Sequence, residues 1–239
     1  EKTPLVAGFS AIARRGDVIA VVGPNGSGKT TLLETLLGER APEGGEVRLG
    51  AGISPAWFRQ DHAHLPEKKS LYDCVGDERP TWNRGQIQAH LGRFGFSGDT
   101  VRRLTDSLSG GERARVALAL ITLRGANLLA LDEPTNHLDV ESIEALEDAL
   151  EGYPGTVLLV SHDRALLREL TTRVWAFEDG GIVDFPGPFL DWEAKRAREE
   201  RDRAEAEAEA TRIARAGEKA QRWKDTEARR ERQAPLRAA

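Results

Sequence analysis

The residues best suited to chemistry lie at 23–30, GPNGSGKT, where the spacing fits G-x-x-x-x-G-K-[ST]. Gly23, Gly26 and Gly28 let a loop turn its backbone N–H groups inward, and a helix starting behind them adds the positive end of its dipole. Such a cradle suits a chain of phosphates. The Lys29 ammonium can neutralise phosphate oxygens, and the Thr30 hydroxyl can ligate Mg²⁺. Gly23, Asn25, Gly26, Ser27, Gly28, Lys29, Thr30 and Thr31 therefore form the candidate nucleotide-binding set. Farther along, the apolar run 127–131 ends in Asp132 and Glu133. Asp132 is placed to complete a Mg²⁺ shell, directly or through water. Glu133 is the candidate base that polarises an attacking water. A second cradle follows from LSGGERARVALAL at 108–120, where Ser109, Gly110 and Gly111 open an Arg- and Ala-rich helix. A chain with one phosphate loop does not need another at the same site, so the second cradle must serve a different one.

The elements that position these residues can be read from hydrophobic patterning. DVIAVV at 17–22, NLLAL at 127–131 and TVLLV at 156–160 read as buried strands. Helical patterns run from about 29 to 37, over 114–123 and over 140–150. Strands interleaved with helices predict an α/β fold with a mostly parallel central sheet covered on both faces. All three runs stop at polar residues, at the strand ends where ligands bind such sheets. EVRL at 46–49 and GIVDF at 181–185 predict an antiparallel β flank.

The composition changes near Asp191, which divides the chain into a domain at 1–190 and a charged helical extension at 191–239. The extension is mostly Ala, Glu, Arg and Lys, all good helix formers. Its thin stripe of Ile213, Ala216, Ala220 and Trp223 allows either a solvated helix or a coiled coil. The whole chain carries a formal charge of −5, yet 212–239 is basic, which suits a polyanionic partner.

The 239 residues suffice to bury a full core. No apolar run reaches the roughly 18 residues needed to cross a bilayer, and residues 1–20 show no signal pattern, so no membrane insertion is expected. The single cysteine, Cys74, excludes an internal disulfide and fits a reducing, cytoplasmic setting. Methionine is absent and residue 1 is Glu, so a processed or excised upstream part is expected.

Taken in order, these motifs resemble the ATP-binding cassette family over roughly residues 5–190. The resemblance implies a P-loop NTPase cassette with a helical signature subdomain, using ATP and Mg²⁺. It also implies that LSGGE of one cassette closes over ATP held by a partner cassette. Gln60, in WFRQDH, falls at the family's Q-loop glutamine, which senses Mg²⁺ and water. His162, in VSHD, matches the switch histidine that contacts the γ-phosphate, and Asp139 sits at the D-loop facing the partner. The implied catalytic set is Glu133, His162 and Gln60, and the implied metal set is Thr30, Gln60 and Asp132. One departure stands out. Members usually carry an aromatic residue upstream of the phosphate loop that stacks on adenine, whereas Phe9 lies too close to the loop for that. Weak or base-unselective nucleotide binding is the expected result.

EPTNHLD at 133–139 narrows the resemblance to the ABC-F class, soluble twin-cassette proteins of which many act on ribosomes. AWFRQDHAHL, HLGRFGFSGDTVRRLTDSLSGGERARVALAL and VSHDRALL agree. About 47 residues separate Gln60 from the signature, which leaves no room for a long inserted arm and resembles the second cassette of the pair. The implied function is an ATPase completed by a second cassette, within one protein or in a homodimer, clamping on ribosomal RNA or tRNA. Two alternatives are a transporter subunit working with a separate membrane protein, and a DNA-associated ATPase gripping DNA through 212–239.

Overall fold

The computed structural model describes residues 6, 8–58, 65–136, 138–178 and 181–233, with side chains of the last helix described to Arg215 and at 217, 218 and 223. Gln60 and His137 lie outside the described residues.

Five strands run parallel in the spatial order β2 (Pro55–Phe58), β3 (Leu128–Asp132), β4 (Thr156–Val160), β1 (Val18–Val22), β5 (Arg173–Glu178). An antiparallel sixth, β6 (Gly181–Phe185), closes the edge against β5. β4 is buried along its whole length and β1, β3 and β5 along most of theirs, as expected of a parallel sheet covered on both faces. Ile19, Val21, Leu33, Ala130, Leu158, Val160 and Trp175 form one apolar cluster between this sheet and helix α1 (Lys29–Leu36).

GIVDF thus supplies the antiparallel flank. EVRL does not. Residues 46–49 form no strand, and Val47 and Leu49 are 38% and 45% exposed. Four extended residues without a ladder partner or a buried face have nothing to hold them in a sheet. PAWF and RVWAFE fill out the parallel sheet instead.

Helices α2 (Leu71–Glu78), α3 (Arg84–Gly92) and α4 (Gly110–Leu123) pack against one another through Leu71, Val75, Ile87, Leu91, Val116 and Leu120. His90 is buried here between Trp82 and Phe94, its Nε2 2.9 Å from the Ala119 carbonyl, and burial holds its pKa down. Helix α5 (Val140–Glu151) packs against α4, and α6 (Arg164–Leu170) against α5.

Contacts divide the chain into two compact units, Glu1–Leu190 and Asp191–Ala239. The described residues of the second belong to helix α7 (Phe189–Gln233). At 1.5 Å per residue this helix is about 68 Å long. Ion pairs at helical spacing run along it, Lys195–Glu199 at 3.7 Å and Arg203–Glu207 at 3.2 Å. Ile213 and Trp223 are 62% and 67% exposed, so the described part of the apolar stripe faces solvent.

Candidate functional site

Sheet order decides which residues meet. β4 lies between β3 and β1, and Asp132 is level with Val160 in the parallel register. The three strands therefore deliver Asp132–Glu133, Ser161–His162 and the loop from Gly23 to one edge of the sheet.

The loop 23–28 cannot be built from ordinary residues. A Cβ at Gly23 would lie 2.6 Å from the Phe177 Cβ, so only a bare backbone fits against β5. Gly28 caps α1 at φ 103° and ψ 17° with no side-chain cap, which leaves the first N–H groups of the helix to an anion. Lys29 is buried, and its Nζ donates to the carbonyl oxygens of Gly23 and Pro24, 3.0 Å each. The ammonium thus lies inside the loop, beside the glycine cradle. The Ser27 Oγ is buried and has no hydrogen-bond partner among the described residues. Asn25, Gly26 and Thr30 are exposed, whereas Thr31 is half-buried within α1. A glycine cradle, an orphaned buried hydroxyl and a sequestered ammonium fit a polyphosphate.

The Thr30 Oγ1 donates to the Asp132 Oδ2 at 2.8 Å. The two described members of the expected metal set are therefore side by side at the loop. Two hard oxygen ligands suit Mg²⁺, which keeps several waters and takes further oxygens from phosphate. Gln60, the third expected member, lies outside the described residues.

Glu133 has φ 52°, a left-handed conformation uncommon for a residue with a side chain. Strain of order ~1–3 kcal/mol is typical of such a residue, and surrounding structure must hold it. Its N–H donates to the Val160 carbonyl at 2.9 Å, and its Oε2 accepts from the His162 backbone N–H at 3.2 Å. The His162 Nε2 stands 3.4 Å from the Glu133 Oε1, an atom that is buried yet hydrogen-bonded to no described residue. The histidine is the accessible member, with its side chain 62% exposed against 16% for the glutamate. His162 is placed by its neighbours: Ser161 is buried, and the Asp163 Oδ1 caps α6 by accepting from Ala165 and Leu166 N–H at 2.9 and 3.2 Å. The pair combines a shielded carboxylate with an exposed imidazole, an arrangement that can accept a proton from water and touch an anion.

The second cradle is built differently. Ser109 caps α4 in a reciprocal box: its Oγ accepts from the Glu112 N–H at 3.2 Å, and its own N–H donates to the Glu112 Oε2 at 2.8 Å. Ser109 and Gly110 are exposed, whereas Gly111 is buried against α5, where a Cβ would fall 2.1 Å from the Ser142 Oγ. Asp139 caps α5 by accepting from the Ser142 N–H at 2.9 Å, and that bonding holds its carboxyl below the usual range. The signature and the Asp139 turn are thus joined through Gly111 and Ser142.

Phe9 packs edge-on to Trp175, ring centres 5.3 Å apart, and belongs to the core. Sequence reasoning missed three contributors to the second cradle: Glu112, Arg103 and Ser142. The serine-to-glutamate spacing of a capping box was available for the first. The other two meet the cradle only through folding.

Comparison with known proteins shows the family. Residues 6–136 match the family described as ABC transporter. The chain is 41% identical over 205 residues to ABC transporter F family member 2 of Arabidopsis thaliana, covering 83% of this chain and 30% of that protein. It is 43% identical over 183 residues to the ATP-binding protein Uup of Escherichia coli, covering 75% of this chain and 29% of that one. The chain therefore spans about a third of the length of these curated relatives. Among solved structures, ribosome-bound archaeal Pelota and ABCE1 contains a chain alike at a TM-score of 0.57 and 31% identity, over 70% of this chain and 28% of that one.

Proposed function

Since the chain belongs to the ABC transporter family, as an ATP-binding cassette of the ABC-F type, we propose that it is an ATPase serving as one half of an ATP-driven clamp on the ribosome. ATP lies on the loop 23–30 of one cassette, and Ser109, Gly110 and Gly111 of a second cassette close over its γ-phosphate. Lys29 leaves the Gly23 and Pro24 carbonyls and turns to the phosphate oxygens. Thr30 and Asp132 would hold Mg²⁺, which supplies charge neutralisation of the phosphate chain. Glu133 accepts the proton of the water attacking the γ-phosphorus as the bond to the ADP oxygen breaks. His162 contacts the γ-phosphate, and Gln60 is assigned to sensing the metal and water. Asp139 lies where the partner cassette meets this one. Loss of phosphate then reopens the pair.

One observation carries this reading: a single chain bears two phosphate cradles of unlike construction. The loop 23–30 has two candidate metal ligands and a candidate base beside it, while the cradle at Ser109 is a helix start closed by its own capping box. A cradle without its own chemistry makes sense when it completes a neighbour's pocket. The ribosomal assignment draws on the F-family relative and on the likeness to a ribosome-bound ABCE1. Among the described residues, no helix is long and apolar enough to cross a membrane.

The test is sedimentation of the Glu133→Gln full chain through sucrose with ribosomes, with and without ATP. ATP-dependent co-sedimentation is expected. Recovery of that variant with a membrane permease instead, and none with ribosomes, overturns the ribosomal reading in favour of transport.

A further inference from the structure

The cradle at Ser109 contains an electrostatic contradiction. Helix α4 offers a γ-phosphate the Ser109 hydroxyl proton and the N–H groups of Gly110 and Gly111, because the helical ladder starts only with Arg113 N–H to Ser109 O at 2.9 Å. The Glu112 carboxylate closes the capping box at the same helix end and accepts the Ser109 N–H. A fixed negative charge therefore sits beside the place meant for a highly charged anion.

Arg103 resolves it. Its fork takes both oxygens of the carboxylate, Nη1 to Oε1 at 2.5 Å and Nη2 to Oε2 at 3.1 Å, while Nη2 also donates to the Ser107 carbonyl at 2.8 Å. The backbone at Arg103 is tied to the start of α2, its carbonyl accepting from the Leu71 N–H at 3.1 Å. Neighbouring guanidinium groups hydrogen-bond elsewhere, and Arg115 adds a smaller through-space attraction to Glu112 than Arg103 does. Arg113 donates to the Leu108 and Asp106 carbonyls, and Arg115 lies over the Phe96 ring and donates to the Phe94 carbonyl. Burial pushes the Glu112 carboxyl up, but the Arg103 fork and the Ser109 N–H outweigh it and keep the group ionised below the usual range.

We infer that Arg103 is a positioning residue for the reaction: it neutralises Glu112, so that the Ser109–Gly111 cradle accepts the γ-phosphate held by the partner cassette. The inference rests on the clamp reading. Arg103 touches no phosphate itself. It converts a helix end already occupied by a carboxylate into one that can take an anion, without giving up the capping box that shapes the end.

A charge-suppression cycle in the full chain tests this, with KM and kcat for ATP hydrolysis and the melting temperature measured for every variant. Arg103→Ala is expected to raise KM for ATP about tenfold with kcat changed less than about twofold, because the loss falls on closure rather than on the chemical step. Arg103→Lys, which keeps the charge and loses the fork, brings KM most of the way back. The decisive arm repeats Arg103→Ala in the Glu112→Gln background. Glutamine can still accept the Ser109 N–H but carries no charge, so the Arg103 penalty shrinks below about twofold. An equal penalty in both backgrounds means that Arg103 serves only the local fold through Ser107, and the inference fails. No penalty in either background also sinks it. Should Arg103→Ala not fold, Arg103→Gln takes its place in the same cycle. Ser109→Ala and Glu133→Gln, run in parallel, test the clamp. If neither affects pairing or turnover as proposed, the clamp reading falls and the inference with it. If both behave as proposed while the cycle is flat, only the role of Arg103 is lost.

Discussion

Helix α1 starts on Gly28 in a left-handed conformation with no side-chain cap, whereas α4 starts on Ser109 inside a complete capping box. The first end is shaped by backbone freedom and holds its ammonium in reserve against the Gly23 and Pro24 carbonyls. The second is satisfied by its own side chains through the Ser109–Glu112 box. Thr30, Asp132, Glu133 and His162 gather beside the first, while the second is attended by its capping box, the Arg103–Glu112 pair and the Gly111–Ser142 contact. On the proposed function, the helix end assigned to the chemistry is left open to its ligand, and the one assigned to a neighbour's site is already capped.

That contrast can be broken at several points. The largest effect is expected at Glu133, where Glu133→Gln lowers phosphate release by ~100-fold or more while ATP-driven pairing, read by size-exclusion chromatography, persists. Normal turnover would remove the base from its role. Binding of labelled ATP then separates the two ends: Lys29→Ala weakens it by about tenfold or more through loss of a charge-assisted contact, and Ser109→Ala changes it less than about twofold. Equal losses would mean that both ends hold the same ATP. Glycine replacement tests construction. Gly111→Ala drives a methyl into the Ser142 Oγ and is expected to destabilise the chain by about 1–3 kcal/mol in urea titration. Gly26→Ala meets nothing within 4 Å and is expected to act only through its φ of 76°, at about 1 kcal/mol.

The smallest effect is in pH. The Glu112 carboxyl is held below its ordinary value of 4.5, so its contribution to stability is complete above that pH and is lost as pH falls through the lower folded value. The gap in melting temperature between the native chain and Glu112→Gln should narrow as pH falls below 4.5 and through the lower folded value. A gap independent of pH would detach Glu112 from Arg103.

Much of the first end was legible before folding, because its chemistry lies in one run of eight residues and in strands with uniform apolar content. TVLLV at 156–160 matches its strand to the residue, and Asp132 proves to be the last residue of β3 rather than the first beyond it. The pattern misled at EVRL, where alternation over four residues was too short to tell a strand from an exposed loop. PAWF escaped notice because it is equally short and opens on proline, which strands tolerate at their first position. The second end was legible only in part. Ser109 and its glycines stand together in the sequence, but Ser142 lies 31 residues beyond Gly111 and meets it only after α5 has folded back. Arg103 belongs to no motif in the sequence, and the register of its turn against α2 is what aims it at Glu112.

The close approach of Gly111 to Ser142 has a mechanical meaning. Two stretches separated along the chain, the signature and the Asp139 turn, leave no room for a methyl between Gly111 and Ser142, a packing that favours their moving together in the proposed clamp. A push delivered to either is felt at both, so docking of a neighbour reads as a single event and not as two adjustable grips. Coordination between paired sites would then require no dedicated relay, only a glycine too small to keep two helix ends apart.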